Sequence, residues 1–269
     1  MRDKNSAIGV FDSGVGGLTV AREIVCQLPN EKIVYFGDTA RLPYGSKSPE
    51  TIIGYARQIK HFLETKDVKA IVIACNTASA HALEALRENS DIPVIGVIHA
   101  GAKTAAETTR NGRIGVIGTS GTIESNIYPK TMTALRPDLT IIQKACPLFV
   151  PMAEEGLSEA PITEEVAHLY LDDMRCADVD TLVMGCTHYP LLKPTFAKVM
   201  GEGVALVNPA YETAKELKEL LIEQDLLAEK KNGNHEYYAS DLAYKIKEFA
   251  ESILPDESIN AVKIDITAY

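Results

Sequence analysis

The sequence predicts an α/β protein built as two similar doubly wound lobes related by a pseudo-twofold axis, and three observations predict it. Strand-like runs alternate with helical ones almost throughout the 269 residues, the order expected of parallel sheets covered by helices. The runs are short, aliphatic and β-branched without polar alternation, as in Lys69-Ala-Ile-Val-Ile-Ala-Cys75 and Asp180-Thr-Leu-Val-Met-Gly-Cys186. That is the pattern of strands buried on both faces. Finally, strand, Gly-containing loop and cysteine recur in one order: Ile8-Gly-Val-Phe-Asp-Ser-Gly starts 67 positions before Cys75, and Ile114-Gly-Val-Ile-Gly-Thr-Ser-Gly starts 72 before Cys186. On strand pattern alone, two unrelated α/β halves would look as similar. A pseudo-twofold pairing would bring two strand-end loops face to face across a cleft, one thiol from each side.

In chain order, residues 7–11 form the first apolar run, stopped by Asp12-Ser13-Gly14-Val15-Gly16-Gly17, and Ala21, Ile24 and Val25 mark the helix that follows. Residues 32–37 are the second strand, and after a loop at 37–46, Ile52, Ala56, Ile59 and Leu63 share one helical face. Runs at 69–74 and 93–97 complete this set, and runs at 113–117, 139–143, 181–184 and 204–207 make the next. Ala214, Leu217 and Leu221 line a later helix, and 237–239 and 262–266 flank a last one near 244–253.

Hydrophobic residues make up 46% of the chain, enough for a well-filled core. Net charge is −10 and spread along the chain, which argues against nucleic acid or an anionic membrane as an obligate partner. A small anionic substrate stays compatible, because helix N-termini attract carboxylates locally. Met1-Arg-Asp-Lys-Asn-Ser leads straight into a strand, and no apolar run approaches membrane-spanning length. Cytoplasmic placement is therefore expected. Cysteines at 26, 75, 146, 176 and 186 form no Cys-x-x-Cys, as expected of free thiols in a reducing compartment.

Cys75 and Cys186 each fall at the carboxyl end of a strand, where open α/β sheets bind ligands. Cys75 precedes Asn76 and Thr77 at a helix start whose amides favour a thiolate, while Cys186 precedes Thr187 and His188, whose imidazole is a proton partner. Taken singly, each cysteine is more simply a small buried hydrophobe. Two thiols in equivalent places point instead to one site with two bases. Cys26, Cys146 and Cys176 are expected to be packing residues. His61, His81 and His168 read as solvated, and His99 and His235 stay unassigned.

The Asp12–Thr19 loop lacks the last glycine of a dinucleotide fingerprint and the Lys-Ser/Thr ending of a phosphate loop. Its glycines still let amides approach an anion, with Asp12 at the strand end; read alone, Asp12 or Ser13 is more simply a turn cap. In the neighbouring loop Tyr44 and Gly45 offer a phenol and an amide to a ligand, or merely close a Pro-Tyr-Gly turn. Cys75, Cys186 and His188 are zinc-ligand types, but a closed site wants four ligands and these loops offer no fourth, so no metal is expected.

Four stretches in this order and spacing resemble the glutamate racemases of the cofactor-independent aspartate/glutamate racemase superfamily: Phe11-Asp-Ser-Gly-Val-Gly-Gly-Leu-Thr19, Gly37-Asp-Thr-Ala-Arg-Leu-Pro-Tyr-Gly45, Ala74-Cys-Asn-Thr-Ala78 and Gly185-Cys-Thr-His-Tyr-Pro-Leu-Leu192. The resemblance runs over nearly the whole chain. It implies one lobe from roughly residues 1–97 plus 208–269 and another from about 98–207, with the active site in the cleft between. It implies L- and D-glutamate as substrates, with Cys75 acting on the D-enantiomer and Cys186 on the L-enantiomer. Asp12 then matches the carboxylate near the first thiol, and His188 and Glu154 match the groups near the second. Ser13, Tyr44, Gly45, Asn76, Thr77 and Thr187 match positions that hold the substrate carboxylates and ammonium. No pyridoxal or other cofactor is implied; a homodimer and a supply of D-glutamate for peptidoglycan are.

The chemistry agrees, because inverting a stereocentre by proton transfer needs a base on one face and an acid on the other. The rivals are aspartate racemase, which Thr187-His188 disfavours, a two-lobed amino-acid-binding protein without turnover, and a thiol redox protein. Two departures stand out: Asn208-Pro209 replaces an Asp-Ser-Gly-like stretch at the expected lobe crossover, and Leu42 stands where a cysteine is common.

Overall fold

The computed structural model describes residues 3–88, 90–231, 233–254 and 259–269; Met1 and Arg2 of the amino-terminal stretch lie outside the described residues. The chain divides into two compact units, Met1–Val97 with Thr213–Tyr269, and Ile98–Glu212. The first opens with β1 (Ala7–Asp12), α1 (Leu18–Gln27), β2 (Ile33–Gly37), α2 (Pro49–Glu64), β3 (Val68–Ile73), α3 (Asn76–Arg87) and β4 (Val94–Gly96). The second follows with α4 (Val97–Thr108), β5 (Arg113–Gly118), α5 (Ser120–Glu124), α6 (Ile127–Leu135), β6 (Thr140–Ala145), α7 (Phe149–Glu154), α8 (Pro161–Cys176), β7 (Thr181–Gly185), α9 (Lys193–Met200) and β8 (Ala205–Val207). Along α10 (Pro209–Glu223) the chain returns to the first unit, which ends with β9 (Glu236–Ala239), α11 (Ala243–Ile253) and β10 (Ala261–Lys263).

The sheet of the first unit is parallel throughout, in the order β10-β9-β2-β1-β3-β4. The second unit has a parallel sheet in the order β6-β5-β7-β8, which repeats the β2-β1-β3-β4 order of the first. Uninterrupted aliphatic runs produce this, since every residue of β1, β2, β3 and β7 is buried and a two-sided apolar strand has to be covered on both faces. The last strand stops at Lys263 instead of reaching 266, because Ile266–Ala268 wind into a short 3-10 turn.

Helix α2 shows how a covering layer is specified. Pro49 stands in its first turn and Ser48 accepts the Thr51 amide at 3.3 Å. Ile52, Ala56, Ile59, Phe62 and Leu63 are buried on its inner face, and Phe62 gathers Phe36, Tyr238 and Tyr269 at 5.4, 5.1 and 5.2 Å between ring centroids. Phe149 does the same in the second unit, with Phe196, Tyr170 and Tyr189 at 4.8, 5.2 and 5.5 Å. Tilted and edge-to-face ring pairs of this kind add about 0.5–1.5 kcal/mol each beyond their buried area.

The unusual Asn208-Pro209 pair starts α10. Asn208 Oδ1 accepts the Ala210 amide at 3.1 Å, and Pro209 packs so closely on Gly101 that a Cβ there would lie 2.9 Å from its Cγ. Cys146 is buried as expected, whereas Cys26 and Cys176 are exposed and so do not pack as the sequence suggested: the helices that carry them turn those positions outward. His235 has a structural task, its Nδ1 accepting the Ile33 amide at 3.0 Å. Among the described residues, no helix is long and apolar enough to cross a membrane.

Candidate active site

In the first unit the site residues gather where β1 and β3 end side by side. Phe11 pairs with Ile73 and the Ala74 amide donates to Phe11 O at 2.8 Å, so two further steps along each chain set Ser13 opposite Cys75. Cys75 is the N-cap of α3 and 6% exposed. Its sulfur accepts the Ala78 amide at 3.5 Å and lies 3.5 Å from Ser13 Oγ. A helix N-terminus places partial positive charge at that sulfur, which favours the thiolate. Asn76 and Thr77, the first residues of the helix, are buried beside it.

Asp12 is fully buried, and its Oδ2 accepts the Gly14 amide at 2.9 Å. The glycine at 17 is obligatory here: a Cβ would lie 2.3 Å from Asp12 Cβ and 2.9 Å from its Cγ. The second loop differs from the sequence reading in one respect. The Tyr44 phenol is buried and hydrogen-bonded to Asp38, so the tyrosine turns its polar end inward. Asp38, itself fully buried, also receives Arg41 Nε at 2.7 Å and Ser240 Oγ at 2.8 Å. Burial, followed by the Asp38 charge, holds the Tyr44 phenol well above its ordinary pKa, which keeps it a donor.

In the second unit β5 and β7 end together, with Gly118 paired to Gly185, so Thr119 comes opposite Cys186. Cys186 is 7% exposed. Its sulfur lies 3.8 Å from His188 Nδ1, and His188 Nε2 lies 2.9 Å from Glu154 Oε1 at the end of α7. A carboxylate can only accept, so Nε2 carries a hydrogen toward Glu154 and Nδ1 is left to exchange a proton with the thiol. Thr187 is buried between cysteine and imidazole in sequence. Behind them the Tyr189 hydroxyl donates to Cys146 O at 2.8 Å, fixing the turn. Burial, partly offset by Lys144, pushes the Cys146 thiol up to about 12, so this third buried cysteine stays a neutral packing group.

The structure thus brings together Asp12, Ser13, Cys75, Asn76 and Thr77 on one sheet, and Glu154, Cys186, Thr187 and His188 on the other. Sequence reasoning missed Asp38, whose buried role depends on Ser240 some 200 residues away, and the place of Thr119, which caps α5 beside the end of β7. The internal repeat held the signal for Thr119, because Gly118-Thr119 occupies the place of Asp12-Ser13.

Residues 8–217 match the Asp/Glu/hydantoin racemase family. A glutamate racemase of Geobacter metallireducens is 54% identical over 237 residues, which is 88% of either chain. Among solved structures, a glutamate racemase isoform from Bacillus anthracis superposes with a TM-score of 0.94 at 43% identity, over 97% of this chain and 98% of that one. The Francisella tularensis glutamate racemase, crystallised in complex with D-glutamate, gives 0.91 at 40% identity over 99% and 100%.

Proposed function

Because the chain belongs to the Asp/Glu/hydantoin racemase family, we propose that Cys75 and Cys186 are the two acid/base groups with which it interconverts L- and D-glutamate, without a cofactor. It is an isomerase, an amino-acid racemase acting on glutamate. One thiol works as thiolate and removes the α-proton while the other, protonated, delivers a proton to the opposite face of the α-carbon. Each turnover exchanges their protonation states, so a run in one direction leaves the pair set for the other enantiomer. Cys75 takes the proton of D-glutamate and Cys186 that of L-glutamate.

The observation that carries this reading is that both thiols sit at the end of a parallel strand, each with its own polar partners: Ser13 and the α3 N-terminus for Cys75, His188 backed by Glu154 for Cys186. Asp12 assists the first thiol and the Glu154–His188 pair relays protons for the second. Ser13, the Tyr44-Gly45 backbone, Asn76, Thr77 and Thr187 hold the carboxylates and ammonium, and their preorganised donors stabilise the carbanionic transition state. The product serves peptidoglycan precursor synthesis in the cytoplasm, and the protein acts as a homodimer.

Circular-dichroism assays starting from each enantiomer test the assignment. Cys75→Ala and Cys186→Ala should each lower interconversion at least about 10²-fold, the scale of a lost acid/base group. Either variant turning over glutamate at the wild-type rate would remove its thiol from the mechanism.

A further inference from the structure

Tyr35 lies at the centre of β2, fully buried, and takes no part in the chemistry proposed above. Its hydroxyl reaches the loop after β1 and donates to the buried Gly14 carbonyl at 2.8 Å. Burial, then the neighbouring Asp12 and Cys75, hold this phenol well above its ordinary pKa, so it stays protonated and remains a donor. The carbonyl is confined from a second side, because a Cβ on Gly37 would stand 2.6 Å from it. The amide of the same Gly14 donates to Asp12 Oδ2 at 2.9 Å, and between the two, Ser13 carries the hydroxyl that meets the Cys75 sulfur at 3.5 Å. One pinned peptide therefore governs a three-residue turn that presents both a carboxylate and a hydroxyl at the first thiol.

We infer that Tyr35 is a positioning residue for the first half-site: by holding the Gly14 carbonyl it sets the Asp12-Ser13-Gly14 turn against Cys75. The inference rests on the proposed role of Cys75 in proton transfer. Its mechanism is geometric, since a misplaced partner around a reacting group costs rate without removing any catalytic atom.

The second half-site supplies an internal control. Tyr35 pairs with Val10, three residues before Ser13; the corresponding Val116, three before Thr119, pairs with Gln143. Gln143 spends its amide on Asn126 Oδ1 at 2.8 Å, so the side chain at the equivalent register of the second unit is an amide and not a phenol.

The test is Tyr35→Phe, which keeps the ring and removes one hydroxyl. Glutamate turnover is measured alongside the iodoacetamide alkylation rates of Cys75 and Cys186, followed separately by peptide mass spectrometry on the full-length enzyme. The expected result is a loss of about tenfold in kcat/KM, the rate equivalent of one buried hydrogen bond, and a change of at least about threefold in the Cys75 alkylation rate with the Cys186 rate unchanged. Gly37→Ala, which crowds the same carbonyl from β2, should give a Cys75-selective change and covers the case in which Tyr35→Phe fails to fold. Unchanged turnover, or lost turnover with the ratio of the two alkylation rates unaltered, would overturn the inference. Cys75→Ala run in parallel separates the two claims: if it retains turnover, the role of Cys75 fails, and if it loses turnover while Tyr35→Phe does not, only the role of Tyr35 fails.

Discussion

Lys69→Met should destabilise the first unit more than a typical core substitution. Lys69 belongs to β3, the strand that ends at Cys75, and none of its side chain is exposed. Its Nζ lies 2.6 Å from Glu31 Oε2 and donates to Lys4 O at 2.6 Å and Leu226 O at 2.8 Å. Glu31 is buried too, and its other oxygen accepts the Ala228 amide at 2.8 Å. One ammonium thus ties the amino-terminal segment, the loop before β2 and the segment after α10 to the start of β3. Methionine keeps the length and loses the charge, leaving a buried carboxylate without its counter-ion at a cost of about 3–5 kcal/mol. Much of the cost of the two stranded carbonyls falls within that figure, because they and Glu31 share one donor and such losses are not additive. A loss near 4 kcal/mol is a large share of the roughly 5–15 kcal/mol that holds a domain together, and corresponds to a fall of about 8–16 °C in Tm. Urea denaturation followed by circular dichroism measures it. Adding Glu31→Gln, which keeps an acceptor for Ala228 and removes the stranded charge, should recover about 1–4 kcal/mol. A single variant within about 1 kcal/mol of wild type, or a double variant no more stable than the single, would refute the reasoning.

Three further outcomes are expected. Asp180 accepts the Arg110 and Asn111 amides at 2.8 Å and Thr109 Oγ1 at 2.6 Å; burial acts to raise its pKa, but these bonds outweigh it and hold the carboxyl below 3.8. Its contribution is therefore complete above the unfolded value and lost as pH falls through the folded one, so the gap in Tm between wild type and Asp180→Asn should be widest at neutral pH and close below about pH 4. In the native protein near pH 8, iodoacetamide should label exposed Cys26 and Cys176, while Cys146, with its thiol at about 12, stays unlabelled until urea is added. Gly17→Ala, forced against Asp12, should lower turnover at least about tenfold, whereas Gly203→Ala, with nothing within 4 Å of its Cβ, should leave turnover unchanged; equal activities would contradict the packing argument.

The strands were legible because β-branched runs without alternation have few other places to go, and the placing of the two cysteines just past β3 and β7 was legible because the apolar runs stop there. The lone Lys69 at the head of one run carried no sign of its burial, since the groups that neutralise it come from residues 4, 31 and 226. The Tyr44 phenol pointed toward a ligand in sequence and toward Asp38 in the fold, because a residue pattern gives the order of a loop and not the direction of its side chains. Tyr35 looked like one more aromatic in a buried strand, and only its hydrogen bond to Gly14 distinguishes it. Cys26 and Cys176 show the converse error, being exposed where a helical pattern suggested packing.

The most direct test of the two-thiol account follows α-protiated L-glutamate in D2O at low conversion, with the isotopic content of each enantiomer read separately. If Cys186 removes the proton and Cys75 delivers its own, D-glutamate should be deuterated from its first appearance while the remaining L-glutamate keeps its hydrogen. D-glutamate that carries the original hydrogen, or deuterium entering both enantiomers equally from the start, would mean that one base serves both faces, and the account would be wrong.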